Sequence, residues 1–110
     1  YRIMANTYKN AKVDLTTTGA TTVLTTPVGS TNIIKSILAS EDSGNADTIT
    51  LTITDTDSAV FSLFKVKAVG ANTTVELLTQ PLVLQDSEIL KATAATANRL
   101  HLVVSYLEIS

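Results

Sequence analysis

The segment Asp47–Thr54, with the sequence DTITLTIT, decides the fold class of this chain. Threonine occupies every even position in it, and Ile49, Leu51 and Ile53 occupy the odd positions between them. Successive side chains of a β-strand point to opposite faces, so this alternation predicts a strand with one buried apolar face and one polar face. Clusters of Asp, Asn, Ser and Gly on both sides of the segment favour turns and bound the strand.

The same combination of strand and turn signals recurs along the chain at roughly 8–12-residue spacing, which is typical of a β-sandwich or barrel. A helix is the alternative for residues 88–97, which are rich in Ala, but their Thr content and their position after a turn favour a strand. We therefore predict an all-β fold, a single antiparallel, jelly-roll-like β-sandwich of about eight strands. The predicted strands cover residues 11–17, 21–26, 31–40, 47–54, 59–69, 73–78, 82–84, 88–94 and 98–109.

The length of 110 residues fits one domain, because two separate cores of half this size would both be marginal. We assign residues 8–110 to the sandwich and residues 1–7 to an N-terminal arm. Met4, Ala5 and Asn6 have the form of a bacterial start, so residues 1–3 are expected to be an addition or upstream readthrough.

Composition excludes several classes of function. The nineteen threonines favour sheet, since Thr is β-branched and fits a half-exposed pleated surface. The net charge of −2 and the scattered basic residues argue against a nucleic-acid partner. No apolar run approaches the roughly 20 residues of a membrane-spanning helix, so no membrane partner is expected. With no Cys, disulfides and Cys-based zinc sites are excluded.

No catalytic constellation can be recognised in the sequence. His101 is the only histidine, and no motif places a nucleophile or a second titrating group beside it. The alternate acids Asp55 and Asp57 have a spacing that suits calcium, but the Gly and the bidentate Glu of an EF-hand loop are missing. The acidic group Glu41, Asp42 and Asp47 is a similar calcium candidate. We therefore expect a protein that is not an enzyme, with no catalytic residues, no metal site and no cofactor.

Two of the predicted strands are apolar on both faces. In residues 31–40, Ile34 and Leu38 fall on one face, and Ile33 and Ile37 fall on the other. A sandwich buries one face of each sheet, so the second apolar face must be covered by a loop, by a bulge that switches the face, or by another protein chain. In residues 98–109, one face carries Leu100, Leu102, Val104 and Tyr106, and the other carries Val103, Leu107 and Ile109. The partner explanation predicts a protein interface containing Ile33, Ile37, Leu107 and Ile109.

Four segments carry a resemblance to a known group of proteins. They are residues 21–31 (TTVLTTPVGST), 34–43 (IKSILASEDS), 81–93 (PLVLQDSEILKAT) and 104–109 (VSYLEI). They resemble the small β-sandwich virion proteins of tailed bacteriophages, in which a T-Y-T-x-P-x-G opening precedes a P-L-x-L-x-x-G-D-x-L-x-A segment and a Y-x-E-I end. The chain departs from this pattern at residues 85–87 (QDS), where Gly is commoner.

The resemblance implies a structural role in a virion that is made in the host cytoplasm. The expected function is capsid decoration, in which a cement protein stabilises the shell by protein–protein contacts. The expected partners are other virion proteins, either the major capsid or tail proteins. The resemblance also implies a homo-oligomer, with a trimer as one form. The alternative is a tail- or fibre-associated binding module that attaches to host-surface glycan.

Overall fold

The computed structural model describes residues 6–110, and these residues form nine β-strands and no helix. The strands are β1 (Asn6–Leu15), β2 (Thr21–Thr25), β3 (Thr31–Glu41), β4 (Asp47–Thr54), β5 (Val60–Val69), β6 (Thr74–Glu76), β7 (Leu82–Leu84), β8 (Ile89–Ala94) and β9 (Leu100–Ile109). No helix among the described residues has the length and apolarity needed to span a membrane.

The strands form two antiparallel sheets that pack as a sandwich. The first sheet has the order β1-β9-β3-β6, with β7 also paired to β3, and the second has the order β2-β8-β4-β5. The short strands β6 and β7 share one edge of β3 and together occupy a single position, so the order is that of a jelly roll. The prediction of an all-β antiparallel sandwich is confirmed.

The core lies between the sheets and is built from the inward face of each strand. Strand β4 contributes Ile49 and Leu51, both fully buried, while its threonines lie on the outer face. Strand β9 contributes alternate residues from Leu100 to Tyr106. The alternation read from residues 47–54 and 98–109 is therefore the burial pattern of the folded chain, because a period-two pattern has only one way to bury its apolar face.

A β-bulge at Lys35 changes the face of β3 half-way along the strand. Ile34 pairs with Tyr106 and Ser36 pairs with Ser105, so Lys35 has no partner on β9. The extra residue moves the following side chains to the opposite face. Ile34 and Ile37 are consequently both fully buried, whereas Leu38 is 37% exposed. The prediction that Ile37 lies outward with Ile33, opposite Ile34 and Leu38, is wrong.

Two other predictions concern the type of one element and the start of another. Residues 88–94 form a strand, β8, which pairs with both β2 and β4, so the helical alternative is excluded. Strand β1 begins at Asn6, five residues before its predicted start, because Asn6 to Asn10 pair with the last residues of β9. The predicted arm of residues 1–7 lies outside the described residues except for its last two, which are part of β1.

The turn between β7 and β8 has a serine at a left-handed position. The backbone N–H of Glu88 donates to the carbonyl of Gln85 at 3.0 Å, which closes a four-residue turn. Ser87, at the third position, has a φ of 66°, as a type II turn requires. Glycine adopts this conformation without the steric cost that a Cβ brings, so the serine at this position is strained.

The bulge can be tested with a pair of substitutions. Ile37→Ala should lower the free energy of unfolding by about 2–5 kcal/mol, because it leaves a cavity at a fully buried site. Ile33→Ala removes the same atoms from a half-buried residue and should cost less than half as much. Urea unfolding followed by circular dichroism measures both values, and equal losses would contradict the change of face.

The strain at Ser87 can be tested separately. Ser87→Gly should raise the free energy of unfolding by about 0.5 kcal/mol, because relief of the left-handed strain exceeds the entropy that glycine adds to the unfolded chain. Ser87→Ala retains the strain and loses only the hydroxyl, so it serves as the control. A lower urea midpoint for Ser87→Gly than for Ser87→Ala would contradict the assigned turn.

Candidate protein interface

The outer face of the first sheet carries an apolar row that crosses four strands. Leu107 on β9 pairs with Tyr8 on β1 and with Ile33 on β3, and Ile33 pairs in turn with Val83 on β7. Directly paired residues of antiparallel strands share a face, so these four side chains stand side by side. Tyr8 is 77% exposed and Val83 50% exposed, and the two central residues are half-buried. We call these four residues the apolar row.

A second row lies further along the same face and has charged ends. Val103 on β9 pairs with Lys12 on β1 and with Leu38 on β3, and Leu38 pairs with Glu76 on β6. Here the two central residues are apolar, and a cation and an anion lie at the two edges. This row thus has an apolar centre between charged edges, which resembles the core and rim of a protein–protein interface. A polar row of Asn10, Ser105 and Ser36 separates it from the apolar row.

The four residues predicted for an interface divide between the surface and the core. Ile33 and Leu107 are paired neighbours in the apolar row. Ile109 lies on the same outer face, two residues beyond Leu107, where it pairs with Asn6 and Thr31. Ile37 is fully buried among core residues and offers no surface to a partner. The bulge at Lys35 is the physical reason that Ile37 is withdrawn from the predicted set.

Sequence reasoning missed three residues that complete this face: Tyr8, Leu38 and Val83. Tyr8 falls before the predicted start of β1, and Val83 lies in a three-residue strand that is too short for a reliable alternation. Leu38 was assigned to the inward face because the bulge was not visible. Only the pairing register brings these residues next to Leu107 and Ile33, and register depends on residues far apart in the chain.

A histidine between two aspartates links three segments at the far end of the same face. The Nδ1 atom of His101 on β9 is hydrogen-bonded to Asp14 on β1, and its Nε2 atom lies 3.0 Å from Oδ1 of Asp42, which follows β3. The hydrogen bond with Asp14 raises the pKa of His101 above its ordinary value; burial opposes this effect, and Asp42 adds to it. Both ring nitrogens contact carboxylates, so neither is directed at a substrate.

In the two acidic loops that are calcium candidates, the Asp55 and Glu41 carboxylates accept hydrogen bonds from backbone N–H groups of the same loop. Asp55 accepts the backbone N–H groups of Asp57 and Ala59, both at 2.9 Å. Oε1 of Glu41 accepts the backbone N–H groups of Ser43 and Asn45 at 2.7 and 3.1 Å. Within residues 6–110, no three His, Asp or Glu side chains are arranged to hold a metal ion.

Hydrogen bonding also sets the ionisation of Glu41. Burial raises the pKa of this carboxyl, but the hydroxyl of Ser43 and the backbone N–H groups of its loop outweigh burial and hold the pKa below its ordinary value. Glu41 is 1% exposed and therefore lies inside the loop rather than on its surface. Its charge fixes the β3–β4 connection.

No protein-family model matches the chain, and no curated protein is significantly similar to it in sequence. A functional conclusion therefore depends on the geometry of the described residues. Among these, the outer face of the first sheet combines exposed apolar side chains on four neighbouring strands with charged residues at its edges. These properties favour the binding of another protein over the binding of a small molecule, which requires a concave pocket.

The charged histidine should make stability depend on pH. Because the pKa of His101 is higher in the folded chain than in the unfolded one, its stabilising contribution is complete below pH 6.5 and is lost as the pH rises through the folded value. The free energy of unfolding should thus fall modestly above pH 6.5, since the side chain is 40% exposed and solvent weakens the pairing. Urea unfolding between pH 6 and 9 measures the change.

His101→Gln provides the control for this measurement, because it keeps a hydrogen-bonding side chain and removes the titration. The chain contains no other His and no Cys, so the slope of the native protein above pH 6.5 should largely disappear in the variant. Identical pH profiles of the two proteins would show that the histidine does not contribute as described.

Proposed function

We propose that this protein is a structural subunit that works by binding other protein subunits through the outer face of its first sheet. The observation that carries the proposal is the apolar row of Tyr8, Leu107, Ile33 and Val83. Small soluble domains rarely expose contiguous apolar surface without a partner for it. The apolar row crosses the sheet from β1 to β7, and Leu38 and Val103 add a second apolar pair on the same face, beyond the polar pair of Ser36 and Ser105.

We further propose a particular setting, the virion of a tailed phage, in which the subunit decorates the capsid and cements the shell. Two independent considerations support it. The first is the resemblance of residues 21–31, 34–43, 81–93 and 104–109 to small virion proteins. The second is the jelly-roll strand order, an architecture found among viral capsid domains. Since fold alone does not define function, the apolar row supplies the mechanism.

In this role the protein catalyses no reaction and acts only by binding other subunits. Shell subunits or further copies of this chain would pack on the apolar row, and the charge of Lys12 at the border of the face would orient them. The proposed partners are the major capsid or tail proteins, and self-association, including a trimer, is part of the proposal. Capsid stability would increase because each bound subunit buries apolar surface of its neighbours.

The alternative, a fibre-associated module that binds glycan at its end loops, has less support. It requires carboxylates at residues 41–47 or 55–58 that are free to accept hydrogen bonds from the hydroxyl groups of a sugar. Asp55 and Glu41 are instead hydrogen-bonded to their own loops. Tyr8, the most exposed aromatic side chain among the described residues, belongs to the apolar row.

The proposal predicts the effect of charging the apolar row. Leu107→Lys should weaken binding to shells assembled from the major capsid protein of the same genome by at least about tenfold, which corresponds to about 1.4 kcal/mol. The cause is the cost of burying an unpaired ammonium group at the centre of the interface. Co-sedimentation with the shells measures the loss, and light scattering measures any accompanying change in oligomer mass.

Val28→Lys is the matched control, because Val28 is 85% exposed in the β2–β3 turn and receives the same charge. It should bind like the native protein. Free energies of unfolding within about 1 kcal/mol of the native value would show that both variants fold. Unchanged shell binding and unchanged oligomer mass in a folded Leu107→Lys variant would refute the assigned interface.

A further inference from the structure

An apolar cleft opens on a different side of the molecule, between the edge strand β5 and the segment of residues 76–82. Its volume is about 330 Å³, and six apolar side chains form most of its lining: Leu63, Phe64, Leu77, Leu78, Pro81 and Leu82. This volume is at the lower end of the roughly 300–1,000 Å³ of ligand sites in proteins. The cleft lies where the two sheets separate, so its floor reaches the core through Leu77, which is 3% exposed.

Apolar surface continues from the cleft along β5. Phe61 is 57% exposed and lies three residues before Phe64 on the same strand, a distance of about 10 Å. Val66 is 61% exposed on the other side of Phe64. The surface is therefore longer than a compact small molecule, and it fits an extended chain that places several side chains along it.

The lining of the cleft contains one cation and one carboxylate, which differ in what they contact. Strand β5 carries Lys65 and Lys67 and no acidic residue, and Lys67 lines the cleft. Lys67 has no ion pair or hydrogen bond with any described side chain. Glu76, the one carboxylate in the lining, is already bound by the Ser36 hydroxyl and by the backbone N–H groups of Ile37 and Leu78.

The backbone of β5 is not suited to pairing with a full additional strand. Two bulges interrupt its register with β4. Val66 has a φ of 55° and directs its N–H to the Thr50 hydroxyl at 3.1 Å. Bulges and lysines on an edge strand prevent regular edge-to-edge pairing. Recognition at this site therefore has to come from side chains that enter the cleft and from charge.

We infer that the cleft is a docking site for an extended segment of a partner protein that presents large apolar side chains beside a carboxylate. The apolar side chains fill the space between Phe64 and Leu78, and the carboxylate pairs with Lys67. This second surface does not include the apolar row of the outer face, so either site can fail without the other.

The test uses a blocked hexapeptide, acetyl-Thr-Leu-Thr-Asp-Thr-Leu-amide, which presents Leu, Asp and Leu on one side when extended. Titration into ¹⁵N-labelled protein should give saturable amide shifts at residues 63–64, 77–80 and 82. The peptide with Asn in place of Asp should bind about fivefold more weakly, as expected for the loss of one exposed ion pair. Lys67→Glu should weaken the Asp peptide by at least the same factor.

Lys12→Glu is the matched control, since it makes the same charge reversal on the outer face and should leave the peptide affinity unchanged. Leu78→Asp should weaken both peptides, and its unfolding midpoint reports whether it folds. Lys67 is exposed, so that variant gives a result even if Leu78→Asp does not fold.

The inference would be overturned by the absence of saturable shifts at the cleft, or by equal affinity of the Asp peptide for the native protein and for Lys67→Glu. Shifts at the cleft when the protein is diluted without peptide would also overturn it, because they would show that a second copy of the chain occupies the cleft. Binding of sodium octanoate at the cleft without binding of the peptide would also overturn it, because the site would then be one for small amphipathic anions. In all of these cases shell binding through Leu107 is unaffected.

Discussion

The structure depends on the pairing of β9 with β1 on one side and with β3 on the other. Ten residues of β9 pair with β1 without interruption. On the opposite side, the pairing with β3 shifts once, at Lys35. Since β9 alternates strictly, it keeps Leu102 and Val104 in the core and Val103 and Leu107 outside along its whole length. The faces of the two neighbouring strands are set by this central strand, and β3 follows it only because it contains a bulge.

Features that depend on residues close together in the sequence could be predicted, and features that depend on the pairing of distant strands could not. The alternation in residues 47–54 is local, so it identified a strand and its buried face correctly. The two apolar faces of residues 31–40 had three explanations, and local information could not choose among them. The burial of Ile37 beside Ile34 shows that the bulge applies to β3, whereas β9 has no bulge against β1 and retains an apolar outer face. A bulge is a property of two paired strands and is not written in either strand alone.

The candidate site shows the same division. Ile33 and Leu107 could be selected from the sequence because each lies in a long strand with a second apolar face. Tyr8 and Val83 could not, because Tyr8 lies 99 residues from Leu107 in the sequence and Val83 lies 50 residues from Ile33. Only the pairing of distant strands makes these residues neighbours. The spacing of Glu41 and Asp55 suggests metal ligands, but their carboxylates accept hydrogen bonds from backbone N–H groups of their own loops. Acidic residues in turns commonly have this local role.

The pairing of β1 with β9 also has a consequence for the time course of folding. Asn6 meets Ile109, so the first described strand completes its hydrogen bonds only with the last one. Closing such a loop costs entropy before any contact rewards it, and sheets dominated by distant pairings fold in milliseconds to seconds. During synthesis β1 remains without its partner until β9 has emerged. Its lysines at positions 9 and 12 then serve a purpose before the fold exists, because charge on an unpaired strand opposes premature association with other chains.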